Sequence, residues 1–262
     1  MNDQPFFAAN LANLTSLWKS MGARSTEASD GAAVHTSTSW PHRLWVDELT
    51  RPSPGQAAAM VEISRRSSRP LVLPVWSDEW ARELKAASHE LSFEQTVMSL
   101  DLKHGADQLS EVADTTLRRV DGHTGTWARL ASLAFGYTVD EAVTDRIVRA
   151  PGVSLVIAEQ SSRAVGTGLL YESDGTAGIH MVGVLPSARR RGVARKIMTH
   201  LLHQARSRGL RHGALQASPM GEGLYRELGF EPLGKILNFT VEPARSASSP
   251  PTSHATNPSL VH

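Results

Sequence analysis

The stretch VGVLPSARRRGVAR, Val182 to Arg195, restricts the fold more than any other part of this chain. Its apolar start reads as a strand that Pro186 stops, because proline has no N–H for a ladder. From Arg191 to Ser207 the apolar residues Val193, Ala194, Ile197, Met198, Leu201, Leu202 and Ala205 step by three and four. That spacing predicts an amphipathic helix. The first amides of a helix have no internal partner, and the helix dipole adds positive potential there. Gly192 and Ala194 are small enough for a ligand to approach the backbone, and Arg189, Arg190, Arg191 and Arg195 add positive charge. A strand, a turn and such a helix start suit a pyrophosphate. Taken alone, the same residues also fit a plain helix start with solvated arginines.

A second stretch decides between these. Residues 217–230 read ASPMGEGLYRELGF. With Val184, Pro186, Arg189, Gly192 and Ala194 upstream, they place Ser218, Gly221, Leu224, Tyr225, Leu228, Gly229 and Phe230 in a fixed order and spacing. The chain thereby resembles the GNAT superfamily of acyl-CoA-dependent N-acyltransferases. Its members carry Val-x-Pro, Arg/Gln-x-x-Gly-x-Gly/Ala and, further on, Asn/Ser-x-x-Ala/Gly-x-x-Leu-Tyr-x-x-Leu-Gly-Phe. The resemblance covers residues 116–243.

It implies a GNAT-type α/β fold: a mixed, mostly antiparallel sheet with splayed central parallel strands, flanked by helices. The co-substrate implied is acetyl-CoA. Its pantetheine would pair with Val182, Gly183 and Val184. Its pyrophosphate would lie on the amides of Arg190, Arg191, Gly192, Val193, Ala194 and Arg195, with Arg189 adding charge. Ser218 stands where the family has Asn, and its hydroxyl offers fewer hydrogen bonds than an amide. Tyr225 stands at the family's general acid. A phenol is protonated at neutral pH and can donate to a leaving thiolate. The Val184 N–H stands at the oxyanion position. Many members carry a glutamate where this chain has His180. An imidazole there could accept a proton, or it could shape the acceptor pocket. Glu159 and Glu172 are further carboxylates on nearby strands. Tyr137, Asp140 and Glu141 fit either an acceptor wall or a helix start.

The pattern from Thr116 to Pro243 alternates strands and helices, with three consecutive strands before a β-α-β crossover. The resemblance implies an acetyltransferase domain over 116–243. Residues 1–115 are read as a second α/β domain. It is a degenerate GNAT-like copy without the Arg-x-x-Gly-x-Gly/Ala loop, a cap, or an interaction module. Trp18, Trp40, Trp45, Trp76 and Trp80 all lie in it and suit either a core or an interface. The polar stretch 102–115 is the expected boundary. Residues 244–262, rich in Ser, Pro, Ala and Thr, are expected to be a disordered tail.

Composition narrows the chemistry further. The 262 residues contain no cysteine, which excludes disulfides, thiolate metal ligands and an acyl-cysteine intermediate. Direct transfer in a ternary complex follows. The net charge of +1 speaks against a nucleic-acid partner. No apolar run is long enough to span a bilayer, and the first residues carry no secretory pattern, so a cytoplasmic location is expected. No metal is expected. The acceptor is a primary amine, of a small molecule or a protein. The alternative function is a non-catalytic acyl-CoA-binding sensor. Monomer and homodimer stay equally open.

Overall fold

The computed structural model describes residues 4–103 and 114–243. The expected tail at 244–262 and most of the expected boundary at 102–115 lie outside them. In chain order the elements begin with α1 (Gln4–Ser20), β1 (Arg24–Glu27), β2 (Ala33–Thr36), β3 (Leu44–Trp45), α2 (Pro54–Arg66), β4 (Leu71–Val75), α3 (Asp78–Ala86) and β5 (Leu91–Asp101). They continue with β6 (Thr115–Val120), α4 (Gly125–Phe135), α5 (Glu141–Ile147), β7 (Val153–Gln160), β8 (Arg163–Ser173) and β9 (Thr176–Val184). A 3₁₀ turn at Pro186–Ala188, α6 (Val193–Ser207), β10 (His212–Ala217), α7 (Glu222–Glu227) and β11 (Glu231–Val241) complete the chain.

These elements fall into two units, each discontinuous in sequence. One holds Met1–Met21 and Thr96–Gly234, the other Gly22–Gln95 and Lys235–His262. The units do not coincide with a division at residue 115. The amphipathic helix α1 buries Leu11, Leu14, Leu17 and Trp18 within the first unit, where it packs on β8, β9 and β10. Burying each such side chain stabilises by about 1.5–3 kcal/mol, enough to hold the helix there.

The first unit is a mixed sheet. β6, β7, β8 and β9 follow one another in antiparallel ladders, and β9 pairs in parallel with β10. β10 pairs antiparallel with residues 96–101 of β5. Helix α6 packs on β8 and β9 because Gly166 and Gly168 leave room for it. A Cβ on Gly168 would stand 2.5 Å from Ile197 Cγ2. The core there joins Val156, Leu170, Ile179 and Val184 to Ile197, Met198, Leu201 and Phe230. Trp127 on α4 is fully buried, and its indole N–H donates to the carbonyls of Val156 (3.2 Å) and Gly168 (3.4 Å).

The second unit has its own core of Val34, Leu44, Leu71, Val75, Trp80 and Phe239. β1, β2 and β3 form an antiparallel sheet, and β4 pairs with residues 237–241 of β11. The order hairpin, helix, strand, helix, long strand occurs twice in the chain. It runs once through β2, β3, α2, β4, α3 and β5, and again through β8, β9, α6, β10, α7 and β11. All six tryptophans are buried, which assigns the five early ones to packing.

Gly178 on β9 faces α1, and a Cβ there would stand 1.8 Å from Asn13 Oδ1. Gly178→Ala should therefore lower stability by about 1–3 kcal/mol through overpacking. Denaturant titration should show a lower midpoint at unchanged slope.

Candidate active site

β9 and β10 stay together only at Thr176↔His212, Ala177↔Gly213 and Gly178↔Ala214. Beyond that pair β9 continues to Val184 and β10 to Ala217 with no ladder between them among the described residues. The two parallel strands thus diverge and leave a gap with free backbone edges. A bulge sets the far end of β9. His180 pairs with Leu169 and Gly183 with Thr167, so β9 holds one extra residue, and Met181 takes φ +52°.

Strand alternation then orients Val184. The Leu185 N–H donates to the Val165 carbonyl (2.9 Å) on the β8 side. Successive N–H groups of a strand point to opposite edges, so that of Val184 faces the gap. The Val184 carbonyl shares this edge and is already occupied. It accepts from Arg189 Nε (3.1 Å), while Arg189 Nη2 donates to the Ala134 carbonyl (3.1 Å) at the end of α4. The Arg189 side chain ties β9 to α4. Sequence reasoning placed it among the groups around the phosphate and missed this tie.

The chain then turns into α6. Arg190 and Gly192 take φ +59° and +81°, and Gly192 is the N-cap without a capping side chain. The first backbone bond of the helix runs from Lys196 N–H to the Gly192 carbonyl (3.0 Å). The amides of Val193, Ala194 and Arg195 therefore precede the ladder. With the left-handed turns they form the type of N–H concavity that takes anions. Arg190 and Arg191 are exposed beside it, and Arg195 pairs with Glu227.

Helix α2 opens differently. Ser53 Oγ accepts from the Gln56 N–H, the Gln56 side chain accepts from the Ser53 N–H, and Pro54 has no N–H. Ser53 Oγ also donates to the Asp30 carboxylate. A capping box and a carboxylate fill the place where α6 leaves open amides.

Tyr225, on α7, is half-buried and packs edge-on to Phe230 with 6.2 Å between ring centroids. Val182, Ala194 and Tyr225 border one core that includes Val184 and Ala217. Burial pushes the phenol up to about 12, so Tyr225 stays protonated at every physiological pH. Ser218 is half-buried at the end of β10, and its carbonyl accepts from the Gly221 (3.0 Å) and Glu222 (3.1 Å) N–H groups.

His180 is buried at 9% exposure, which lowers its pKa to about 4 and keeps it neutral. Its polar surroundings come from α1 and from Gln216 on β10. Asn13 Nδ2 donates to the Tyr171 carbonyl (3.1 Å) and to Ser173 Oγ (2.8 Å), so Asn13 Oδ1 faces His180 Nε2 (3.1 Å). An amide oxygen only accepts, so Nε2 donates to it, and the Gln216 side chain makes a further hydrogen bond to the imidazole. Asn10 accepts from Gln216 Nε2 (2.6 Å) and donates to the Met98 carbonyl (2.8 Å). Asn10 and Asn13 left no sequence signal, because buried amides inside an amphipathic helix look like its solvated face.

The other candidates have structural partners. Glu159 pairs with Arg118, and Glu172 with Arg208. Asp140 caps α5 by accepting from the Ala142 N–H (2.9 Å). Tyr137 stacks on Phe135 (5.7 Å), and its hydroxyl donates to Met181 Sδ (3.9 Å) beside the bulge. Among the described residues no cluster of three His, Asp or Glu side chains could hold a metal ion, and no helix is long and apolar enough to cross a membrane.

The family model for GNAT acetyltransferases matches residues 125–230, the stretch that carries the gap, the open helix start and Tyr225. This stretch is a GNAT acetyltransferase domain. Solved structures agree on the fold. A GCN5-related N-acetyltransferase from Kribbella flavida matches with TM-score 0.67 at 17% identity, over 90% of this chain and 94% of that one. One from Sphaerobacter thermophilus matches with TM-score 0.60 at 20% identity, over 84% and 81%. A tandem GNAT protein from the clavulanic acid biosynthesis pathway matches with TM-score 0.56 at 17% identity, over 82% and 79%. No curated protein matches the chain.

The buried imidazole makes a pH prediction about the GNAT domain. His180 resists protonation when folded but charges near 6.5 when unfolded, so the unfolded state binds the extra proton. Its contribution to stability is complete above about 6.5 and is lost as pH falls toward 4. Denaturation midpoints of the wild type should fall more steeply over that range than those of His180→Gln. Equal slopes would contradict the assignment.

Proposed function

We propose that this chain transfers an acetyl group from acetyl-CoA to a primary amine, directly and within a ternary complex. The observation that carries this is the diverging pair β9 and β10, which leads to an uncapped helix start at Gly192. The free Val184 N–H and the open amides of 193–195 fit a pantetheine and a pyrophosphate.

In this reading the chain's own groups have separate tasks. Backbone edges of Val182, Gly183 and Val184 align the pantetheine. The loop amides from Arg190 to Arg195 hold the pyrophosphate, with charge from Arg190 and Arg191, and Ser218 lines the same strand pair. The Val184 N–H meets the oxyanion that forms on the thioester carbonyl. Tyr225 gives its proton to the leaving sulfur, and its burial keeps that proton available. His180, kept neutral by burial, takes the proton released by the attacking nitrogen. It is a weak base, so the transfer comes after attack, when that N–H is far more acidic than in the parent ammonium. The acceptor is a small-molecule or protein amine.

The N-terminal part reads as a second, GNAT-like copy that does not bind the co-substrate. Its element order repeats that of the GNAT domain, while Ser53, Gln56 and Asp30 fill the start of α2. A second functional reading, an acyl-CoA-binding regulator without turnover, draws on the low basicity of His180.

Thiol release from acetyl-CoA with a panel of amines separates the two. Catalysis predicts turnover that Tyr225→Phe lowers by about 10²-fold or more in kcat, with little change in KM. Tight binding without turnover on any amine supports the regulator. Arg189 gives a second test, because Gln Nε2 stands as many bonds from the backbone as Arg Nε. Arg189→Gln should keep most acetyl-CoA affinity through the Val184 carbonyl, while Arg189→Met loses about tenfold. Acetylpantetheine, which has no pyrophosphate, should show the same ranking. Loss with acetyl-CoA alone would make Arg189 a phosphate ligand instead.

A further inference from the structure

A second constellation lies in the other unit, on the sheet of β1, β2 and β3. Ser25 on β1 stands opposite His35 on β2 in the antiparallel ladder. Its Oγ lies 2.8 Å from His35 Nδ1, and His35 Nε2 lies 3.0 Å from Asp47 Oδ2. The other Asp47 oxygen accepts from the Trp45 indole N–H (3.2 Å). Trp45 also lies against the His35 ring, 5.1 Å between centroids at 33°.

With a neutral imidazole, donor and acceptor rules leave one arrangement of protons. An ionised carboxylate only accepts, so His35 Nε2 must carry the hydrogen. Nδ1 then holds a lone pair, and the Ser25 hydroxyl must be the donor. This is the state in which a histidine draws a proton from a serine. Burial follows the same division of roles. His35 is 4% exposed and held by Trp45, while Ser25 lies on an exposed strand.

We propose that Ser25, His35 and Asp47 form a nucleophilic site that reacts with small activated acyl esters. Ser25 is the nucleophile, His35 the general base and Asp47 the group that fixes the imidazole tautomer. The ring nitrogens are exchanged relative to the serine protease arrangement, but a triad is defined by its roles. β1 is the edge strand of its sheet, so alternate N–H groups beside Ser25 have no partner within that sheet and serve the oxyanion.

The chemistry balances without a further reagent. Ser25 Oγ bonds to the acyl carbon as its proton passes to His35 Nδ1. The bond from acyl carbon to the leaving oxygen breaks, and His35 returns the proton to that oxygen. Water, deprotonated by His35 in the same way, then adds to the acyl-serine. The carboxylic acid leaves, and Ser25 regains its hydrogen.

The test uses the full chain with p-nitrophenyl acetate and mass mapping of acetylated peptides over time. Ser25 should acetylate at least about tenfold faster than Ser88 and Ser162, exposed serines of the same chain that serve as internal controls. Asp47→Asn should slow Ser25 acetylation by about tenfold or more, and Ser25→Ala should remove the rapid p-nitrophenolate release. Acetylation of Ser25 no faster than the control serines would overturn the proposal. So would a folded Asp47→Asn protein that reacts at the wild-type rate. Should Asp47→Asn unfold, the comparison of serines within the wild type decides alone.

Discussion

The parting of β9 and β10 after the Gly178↔Ala214 pair is the constraint on which the GNAT domain depends. Parallel strands normally satisfy each other's backbone groups along their whole length. Here six residues of β9, from 179 to 184, continue without β10. An unpaired central strand edge is costly inside a domain, so its neighbours must fix it in place. β8 does so on one side through a ladder that reaches Gly166↔Val184. On the other, Arg189 covers the Val184 carbonyl and leaves the adjoining N–H open.

Small residues make that arrangement possible. Gly166 and Gly168 admit α6 against β8, which brings the helix start close to the end of β9. Gly183 admits α4, whose Phe135 and Ala134 stand 2.8 and 3.0 Å from where a Cβ would lie. Gly178 admits Asn13 of α1. The first helix of the chain thus lies in the same compact unit as the GNAT domain, and its Asn13 faces His180. Two helix starts in one chain show how local chemistry leaves one set of amides open and closes another. Gly192 offers no side chain to its helix, whereas Ser53, Gln56 and Asp30 supply theirs.

Much of this was legible from residue order. The expected run of three strands and a β-α-β crossover is present as β7, β8, β9, α6 and β10. The periodicity of α6 gave the helix, although it begins at Val193 because Gly192 takes a left-handed conformation. Asp140, read as either an acceptor wall or a helix start, is the N-cap of α5. Hidden from the sequence were relations between distant segments. Asn13 with His180 and Arg189 with Ala134 are contacts across 167 and 55 residues. No periodicity encodes such pairs. A boundary at residue 115 follows the polar composition of 102–115, whereas the compact units follow strand pairing.

Hydrogen–deuterium exchange with and without coenzyme A tests the central claim most directly. The account predicts protection of the backbone amides from 179 to 195 and none at 53–57, where α2 is already capped. Protection absent from 190–195, or equal at both helix starts, would contradict it.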